Sequence, residues 1–348
     1  MTQLRRRLLY ILTTCLCVAC GGGGSDATPT PTTNPNAYPL ALPVAGDWFV
    51  YTSSVNPSLP AGSTPSERTV TRNYRIVNAD GSFTRADTTS TFNSLASPAF
   101  NSAGALVSYT SGTLLCNYAP AYLSGPPITS AVGDSFNSSS TESCATQPNG
   151  TPSTTALSVV GNNQAVETKT IPLGSFSAFT YAQTRTATSA TAVTTTVETC
   201  WIDRTTGRAL ECTSSYSSIP VGQSTPTSTG TTLFRLEAYS FHGQAAVGAA
   251  VRRFAGYWNV NFAGSSIGDC ANLLIDINGQ ISGSCRFLTS AGVYGSPFTV
   301  TGSVASNGST TVTAATGASM SGTFTTPGVA NGTWSNGAAS GPWNATHI

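Results

Sequence analysis

Charged side chains are scarce in this chain of 348 residues, in which Asp, Glu, Lys and Arg together make up 8%. A typical soluble domain carries about 25%. Lysine occurs once, at Lys169, and the formal net charge is +1, so no basic surface for nucleic acid is expected. Histidine occurs twice, which leaves few groups for histidine-centred catalysis.

Hydroxyl side chains take the place of the missing charges. Ser and Thr number about 99 residues, near 28% of the chain, alongside 34 Gly and 20 Pro. This composition disfavours long helices and is typical of short strands joined by turns. Aromatic residues reach 9%, which is enough to build a folded core and argues against charge-driven disorder. The sequence therefore predicts an all-β protein.

The N-terminus has the order of an export signal. Three arginines at positions 5–7 precede an apolar run at 8–18, which is too short to cross a bilayer as a helix. Ala19 is a small residue before a cleavage point, Cys20 follows it, and 21–25 is a Gly-rich stretch. This order resembles the signal of bacterial lipoproteins, although Cys17 stands where that family usually has Leu.

The resemblance implies that residues 1–19 are removed and that Cys20 is diacylated, which makes the membrane a partner of the mature chain. Gly21 in place of Asp implies an outer-membrane location, facing either the periplasm or the cell surface. Without the three signal arginines, 12 basic and 14 acidic groups remain, a net charge near −2. The alternative is an ordinary secretory signal that ends beside a chance cysteine.

An even number of cysteines remains beyond the signal, and in an exported chain this predicts disulfides. A predicted hairpin brings Cys200 beside Cys212. A predicted two-residue turn at Asn278-Gly279 pairs position 277 with 280 and brings Cys270 to the face of Cys285. The remaining two cysteines then form the third pair. No two of them have the CxxC spacing of a metal site. The six cysteines are Cys116, Cys144, Cys200, Cys212, Cys270 and Cys285.

Composition divides the mature chain into four segments. Residues 20–45, rich in Gly, Thr and Pro, are predicted to be a flexible tether. Residues 46–243 are predicted to form an N-terminal β domain, 244–253 a linker or short helix, and 254–348 a C-terminal β domain.

Alternation within 46–243 indicates strands that turn one face inward. The turn signal Asp80-Gly81 marks a hairpin after the second predicted strand. The predicted architecture is a curved antiparallel sheet or a half-barrel. One face of the second predicted strand carries Val70, Arg72, Tyr74 and Ile76.

Residues 171–208 resemble the half-barrel sheets of periplasmic lipoprotein carriers. The resemblance implies a curved sheet that cradles a ligand. This chain departs from a carrier because its strands hold Thr where a lipid-binding face would have Leu, Ile or Val. Tight hairpin turns in general also favour Asp and Gly at the positions that match. The run that carries the resemblance is Trp201-Ile202-Asp203-Arg204-Thr205-Thr206-Gly207.

Residues 254–348 repeat turn signals about every ten residues, which predicts an antiparallel meander of about eight short strands. A Gly-x-Trp motif recurs in this segment with Trp258, Trp334 and Trp343, and its first and last copies fall in the first and last strands. Matching ends favour closure into a small barrel, because closure removes both sheet edges. An open sandwich with the tryptophans in its core is the alternative.

Catalytic motifs are few. One Gly-x-Ser-x-Gly string, residues 264–268, lacks the strand–turn–helix context of a hydrolase nucleophile, so Ser266 is expected to be structural. His242 and His347 have no carboxylate at a spacing that indicates a triad. The sequence holds no phosphate loop, dinucleotide fingerprint or complete calcium loop, so no catalytic residue, metal or cofactor is predicted.

Three functions remain, of which an envelope hydrolase is the least favoured. The first hypothesis is a lipid-anchored, non-catalytic envelope protein with a structural or adhesive role. The second is a binding protein that holds an apolar or glycan ligand in one of its β domains. The presence or absence of a cavity distinguishes the structural hypothesis from the binding hypothesis. A filled interior favours the structural role, and a void of several hundred cubic ångströms favours binding. The candidate ligand contacts are the five tryptophans, Trp48, Trp201, Trp258, Trp334 and Trp343.

Overall fold

The structure is a computed structural model that describes residues 36–38, 42–57, 66–89, 94–326 and 328–347. These residues form 21 β-strands and one 3-10 helix, which confirms the all-β prediction, and they lie in one compact unit. The predicted signal, Cys20 and most of the predicted tether lie outside the described residues. Within the described part of the chain, no helix is long and apolar enough to cross a membrane.

The first sheet has thirteen strands, of which the first twelve form a ring and the thirteenth is a short addition to the twelfth, and each is antiparallel to its neighbour in the chain. The twelfth strand also pairs with the first, from Trp48 opposite Ser240 to Pro57 opposite Gly230. The predicted curved sheet is therefore confirmed, and it curves past a half-barrel into a closed ring. Its strands are β1 (Trp48–Pro57), β2 (Ser66–Val77), β3 (Phe83–Thr89), β4 (Ser94–Phe100), β5 (Leu106–Ser111), β6 (Leu114–Tyr122), β7 (Ser135–Thr146), β8 (Ser153–Ile171), β9 (Gly174–Thr188), β10 (Ala192–Asp203), β11 (Ala209–Pro220) and β12 (Ser228–Ser240).

Alternation along the strands decides which side chains enter this large barrel. Phe49 and Tyr51 of β1 are fully buried in its interior cluster. In β2 the predicted common face holds as far as Tyr74, but a bulge follows it and leaves Ile76 56% exposed. The prediction is wrong at Ile76 because a bulge adds one residue to the strand and moves the next side chain to the other face.

The segment that follows β12 contains short regular elements. β13 (Val247–Gly248) pairs with β12, and a 3-10 helix (Ala250–Phe254) comes next. Arg252 of this helix binds the carboxylate of Glu237 in β12. Phe254 at the end of the helix is fully buried in the core of the second sheet.

The second sheet is a closed antiparallel barrel of eight strands, as the turn spacing predicts. Closure is made by β14 and β21, in which Trp258 lies opposite His347 and Phe262 opposite Trp343. Its strands are β14 (Gly256–Phe262), β15 (Gly268–Ile275), β16 (Gln280–Phe287), β17 (Phe298–Val304), β18 (Ser309–Ala314), β19 (Ser319–Thr326), β20 (Val329–Asn336) and β21 (Ala339–His347).

The two barrels touch through the outer face of β1. Trp48 and Val50 pack there with Ala255 and the partly buried Ile277. The hydroxyl of Tyr257 donates a hydrogen bond of 3.2 Å to the Thr89 carbonyl. Apolar packing and hydrogen bonds therefore connect the large barrel to the small one.

Candidate functional site

The interior of the large barrel is partly empty. A cavity of about 630 Å³ lies among side chains of β1–β4 and β9–β12, and residues before β1, after β4, between β6 and β7 and in the β10–β11 turn complete its lining. The small barrel, in contrast, leaves a void of about 20 Å³ in its core. Eight strands enclose a space that side chains just fill, whereas larger barrels can enclose a ligand cavity. The larger volume is within the range of small-molecule sites.

Aromatic rings build one wall of the cavity. Phe234 lines the cavity and is stacked on the fully buried Tyr51, with the ring centroids 4.3 Å apart. Phe83 and Phe100 are stacked at 4.7 Å, and Tyr74 lies 5.3 Å from Phe83. Rings at these distances stabilise one another. Packing of these rings on one another therefore holds the wall in place.

Four arginines face the cavity, and two of them have carboxylate partners. Arg85 donates to both carboxylate oxygens of Asp87, at 2.5 and 2.6 Å. Burial opposes the charge of Arg85, but the adjacent Asp87 raises its pKa. Arg185 donates to Glu198 at 3.3 Å, and Gln183 donates to the same carboxylate at 2.6 Å. The four are Arg72, Arg85, Arg185 and Arg208.

The other two arginines have no carboxylate within 4.0 Å among the residues that the structure describes. The guanidinium of Arg72 lies over the rings of Tyr51 and Phe234, at 5.2 and 4.9 Å. Arg208 lies over Tyr74 at 4.9 Å and donates to the Gly207 carbonyl at 3.1 Å. The buried Nε atoms of both, and Nη2 of Arg208, have no hydrogen-bond partner in the described ranges.

The tyrosines near the cavity do not compensate this charge. Burial raises the pKa of Tyr51 to about 12, while the nearby Arg72 acts in the opposite direction. Burial also raises the pKa of Tyr38 and Tyr181, and Arg208 opposes this at Tyr38. These phenols are therefore neutral near pH 7. The buried hydroxyl of Tyr51 has no hydrogen-bond partner among the described atoms.

A tight turn between β10 and β11 positions Arg208. The carboxylate of Asp203 accepts hydrogen bonds from the backbone N–H groups of Thr205 and Thr206, at 3.1 and 3.0 Å. Gly207 has a φ of 65°, a conformation that favours glycine. This is the segment that resembles lipoprotein carriers, and its Asp and Gly are accounted for by the turn that ends at Arg208.

Hydroxyl groups line much of the rest of the cavity, and aliphatic side chains are few. This agrees with the Thr-rich strands of the sequence, which differ from the face of a lipid carrier. The aliphatic lining residues larger than Ala are Leu42, Leu123, Ile128 and Ile202. The hydroxyl-bearing ones in β10, β11 and β12 are Thr194, Thr196, Ser214, Tyr216 and Thr232.

The five tryptophans that the sequence singles out as ligand contacts are not among the residues that line this cavity. Trp258, Trp334 and Trp343 are buried in the core of the small barrel. Trp48 is buried on the outer face of β1, against the small barrel. The structure does not bring them to the cavity, because the small barrel needs its large side chains to fill its own interior.

Trp201 belongs to a partly exposed polar cluster. Its indole N–H donates to Glu167 at 2.6 Å, and the ammonium of Lys169 lies 3.6 Å from the ring centroid. The hydrogen bonds from Trp201 and Thr180 lower the pKa of Glu167. These partners account for Trp201 without a ligand.

Three disulfides join neighbouring strands, in the pairing that the local hairpins favour. Two of them link residues that lie directly opposite each other in the sheet. Glu142 and Glu198 each lie beside one of these two disulfides. Sulfur atoms bonded to each other are not thiolates, so these groups are not metal sites of the thiolate type. The pairs are Cys116–Cys144, Cys200–Cys212 and Cys270–Cys285.

The turn at Asn278-Gly279 differs from the prediction in its length. Asp276 and Gln280 close it, since the Asp276 N–H donates to the Gln280 carbonyl at 3.0 Å. Three residues therefore lie in the turn instead of two. The register of β15 with β16 is therefore shifted by one position from the predicted one. A further irregularity between Asp269 and Leu274 brings Cys270 beside Cys285.

No protein-family model and no curated protein matches this chain. Among solved structures, the chain is similar to the hypothetical lipoprotein YmcC of Escherichia coli, with 13% identity and a TM-score of 0.31 over 57% of this chain and 89% of that one. It is also similar to a chain described as a lipoprotein of Parabacteroides distasonis, with 10% identity and a TM-score of 0.31 over 60% of this chain and 100% of that one.

Sequence reasoning missed the cavity arginines, although a signal for them exists. Arg72 shares its face of β2 with Tyr74, and Arg85 is two residues from the buried Phe83 in β3. An arginine at an inward-facing position of a strand places its charge inside the barrel, where the loss of hydration is costly unless a partner offsets it. Which of these cations lacks a carboxylate depends on strands that are distant in the sequence.

Proposed function

We propose that this protein is a non-catalytic binding protein of the bacterial envelope, which holds a polar ligand in the cavity of its large barrel. The cavity of about 630 Å³ is the observation that carries this proposal. A purely structural or adhesive role, which the sequence puts first, does not account for a preformed void of this size. The hydroxyl-rich lining favours a glycan-like ligand over an acyl chain.

Binding without catalysis is supported by the position of the histidines. His242 has its ring against the Leu42 carbonyl at 2.8 Å, and His347 lies beside Trp258 at 4.9 Å between ring centroids. Neither of them is among the residues that line the cavity. Glu198, which lines the cavity, is engaged by Arg185, and Asp87 is engaged by the lining Arg85. General acid–base chemistry needs a titratable group free to reach the substrate.

Anchoring through Cys20 is the second part of the proposal, and its support is the sequence of residues 1–25 alone. Mass spectrometry of the mature chain is expected to find Cys20 as the first residue, with the added mass of acyl chains. A Cys20→Ala variant is expected to lose both the lipid and the membrane fraction. A mature chain without lipid at Cys20 would contradict the anchor and leave the cavity proposal unaffected.

Blocking the cavity tests the binding function. Thr196 of β10 lines the cavity, whereas its neighbour Val197 is 52% exposed. A Thr196→Trp variant places an indole inside the barrel, and Val197→Trp is the matched control on the outer face. The full-length protein purified from envelopes in detergent is expected to carry a stoichiometric small molecule in native mass spectrometry, in the wild type and in V197W but not in T196W.

Two results would reject the binding function. One is a wild-type protein that carries no small molecule and binds neither maltotriose nor trigalacturonate in calorimetry. The other is a bound molecule that T196W retains as well as V197W does. In either case a structural or adhesive role would be the better explanation.

A further inference from the structure

The cavity carries an excess of positive charge. Of the four arginines that face it, Arg85 and Arg185 are each neutralised by an adjacent carboxylate. Arg72 and Arg208 are not within salt-bridge distance of a carboxylate in the part of the chain that the structure describes. The nearby phenols are neutral, so two full positive charges remain inside the barrel.

Unpaired cations of this kind are costly to the fold. A buried donor without a partner loses its hydrogen bonds to water, and a buried charge loses much of its hydration. Within the described residues, Arg72 and Arg208 between them leave three buried N–H-bearing nitrogens without a partner. Stacking of Arg72 on Tyr51, and of Arg208 on Tyr74, offsets only part of that loss.

The two guanidiniums belong to one region of the cavity. Arg72 and Tyr74 are two residues apart on the same face of β2, and Arg208 lies over the Tyr74 ring. Burial raises the pKa of Tyr51, and Arg72, Arg208 and Arg85 all oppose this. Tyr51, Tyr74, Arg72 and Arg208 therefore form one cluster on the aromatic wall, which we name the arginine wall.

We infer that the arginine wall binds an anionic group of the ligand, a carboxylate, phosphate or sulfate, and that the ligand is an acidic saccharide. A guanidinium offers a planar fork of donors that matches the oxygens of such groups. The hydroxyl-rich lining can exchange hydrogen bonds with the sugar hydroxyls. This inference rests on the proposed function and adds the chemical class of the ligand.

Simple anions test the wall without knowledge of the whole ligand. Inorganic phosphate, compared with sodium chloride at equal ionic strength, is expected to raise the Tm of the full-length wild-type protein in detergent. The double variant R72Q/R208Q is expected to show no such rise. Arg75→Gln is the matched control, because Arg75 lies on the same strand but is exposed and does not line the cavity.

Saccharides of equal length test the class of ligand. Trigalacturonate is expected to bind the wild type at least tenfold more tightly than maltotriose in titration calorimetry. Each of R72Q and R208Q is expected to weaken trigalacturonate about ten- to hundredfold, because each removes a charged hydrogen-bonding partner. Binding of maltotriose should change little in the same variants, and R75Q should resemble the wild type.

The outcomes separate this inference from the proposed function. If maltotriose binds as tightly as trigalacturonate, the cavity is a binding site and the anionic class is wrong. If neither saccharide binds and phosphate has no effect while a small molecule co-purifies with the wild type, only the anionic class is wrong. If no small molecule co-purifies either, the proposed function fails as well. Arginine-dependent binding of lysophosphatidylglycerol, without binding of trigalacturonate, would replace the saccharide by an anionic lipid. A double variant with reduced Tm in the absence of any anion would point to a structural role for the wall.

Discussion

Gly332 of β20 lies directly opposite Trp343 of β21, and the same strands place Trp334 opposite Gly341. The last two copies of the Gly-x-Trp motif are therefore reciprocal, and each glycine faces the tryptophan of the other copy. A Cβ atom on Gly332 would lie 2.7 Å from the Trp343 indole nitrogen. On the neighbouring Gly322 it would lie 2.5 Å from the same ring. Gly322 and Gly332 therefore leave the space that the Trp343 indole occupies.

Gly332→Ala is expected to destabilise the protein by about 2–3 kcal/mol, because overpacking forces side chains and backbone to shift. The backbone of Ser321 would also have to move, since its carbonyl oxygen lies in the path of the new Cβ. The urea midpoint of unfolding measures the effect. Gly328→Ala is the control, because a Cβ there meets nothing within 4 Å. Equal midpoints for the two variants would contradict this account of the motif.

His347 should make stability depend on pH. Burial lowers the pKa of His347 from 6.5 to about 4, although its hydrogen bond to the Ala255 carbonyl acts in the opposite direction. Between these values the unfolded chain binds a proton that the folded chain does not. The free energy of unfolding should therefore be constant above pH 6.5 and fall by up to about 3 kcal/mol as the pH drops towards 4.

Urea titrations at pH 7 and pH 4.5 measure this dependence, and His347→Gln should reduce it. His242→Asn is the matched control, because His242 has a φ of 52°, which Asn tolerates. The control should keep the slope of the wild type. If H347Q keeps that slope too, another group is responsible for the loss of stability in acid.

We expect Glu237 to stabilise the contact between β12 and the 3-10 helix. Its side chain is 2% exposed, and it accepts hydrogen bonds from Arg235, Arg252 and the Thr52 hydroxyl. Glu237→Gln should cost about 2–3 kcal/mol, somewhat less than a fully buried pair, because both arginines are partly exposed. Thermal unfolding measures the loss.

The comparison variant for this ion pair is Asp269→Asn, which breaks the pair with Arg286, a side chain that is 43% exposed. Pairs of this kind contribute about 0–1 kcal/mol. A loss in E237Q no larger than in D269N would mean that the buried carboxylate contributes little to the junction.

We expect each disulfide to contribute to the free energy of unfolding according to the length of the loop that it closes. The loops span 28, 12 and 15 residues for Cys116–Cys144, Cys200–Cys212 and Cys270–Cys285. The entropy of loop closure predicts about 3 kcal/mol for each, with the largest value for Cys116–Cys144. Paired Cys→Ala variants in urea measure the order. Alkylation of any of the six cysteines in the unreduced, denatured protein would contradict the framework.

The small barrel was largely predictable because its determinants are local. Turn signals predict the number of strands, and the Gly-x-Trp motif at both ends of the meander favours the closed barrel that the structure has. Hairpins joined by short turns need no distant partner to set their register. The reciprocal fit of Gly332 and Trp343 also lies in one hairpin, but only the register of β20 with β21 reveals it.

The site of the large barrel was less predictable because it depends on long-range contacts. Closure requires β1 and β12 to pair although Trp48 and Ser240 are far apart in the sequence. The same closure brings Phe234 of β12 beneath Arg72 of β2. Alternation could assign Arg72 and Arg85 to an inward face, but it could not place Arg208, which lies in the turn between β10 and β11, or decide which arginine meets a carboxylate.

Composition, turn spacing and the cysteines by themselves determined an all-β chain with two β regions and neighbouring cysteine pairs, because these properties depend on residues close together in the sequence. Tertiary structure alone decided that one barrel is filled and the other is not. The physical reason is geometric: eight strands enclose a space that the tryptophans and their neighbours fill, whereas twelve strands enclose more volume than their side chains occupy. Arg72 and Arg208, which have no carboxylate partner in the part of the chain that the structure describes, line that remaining space.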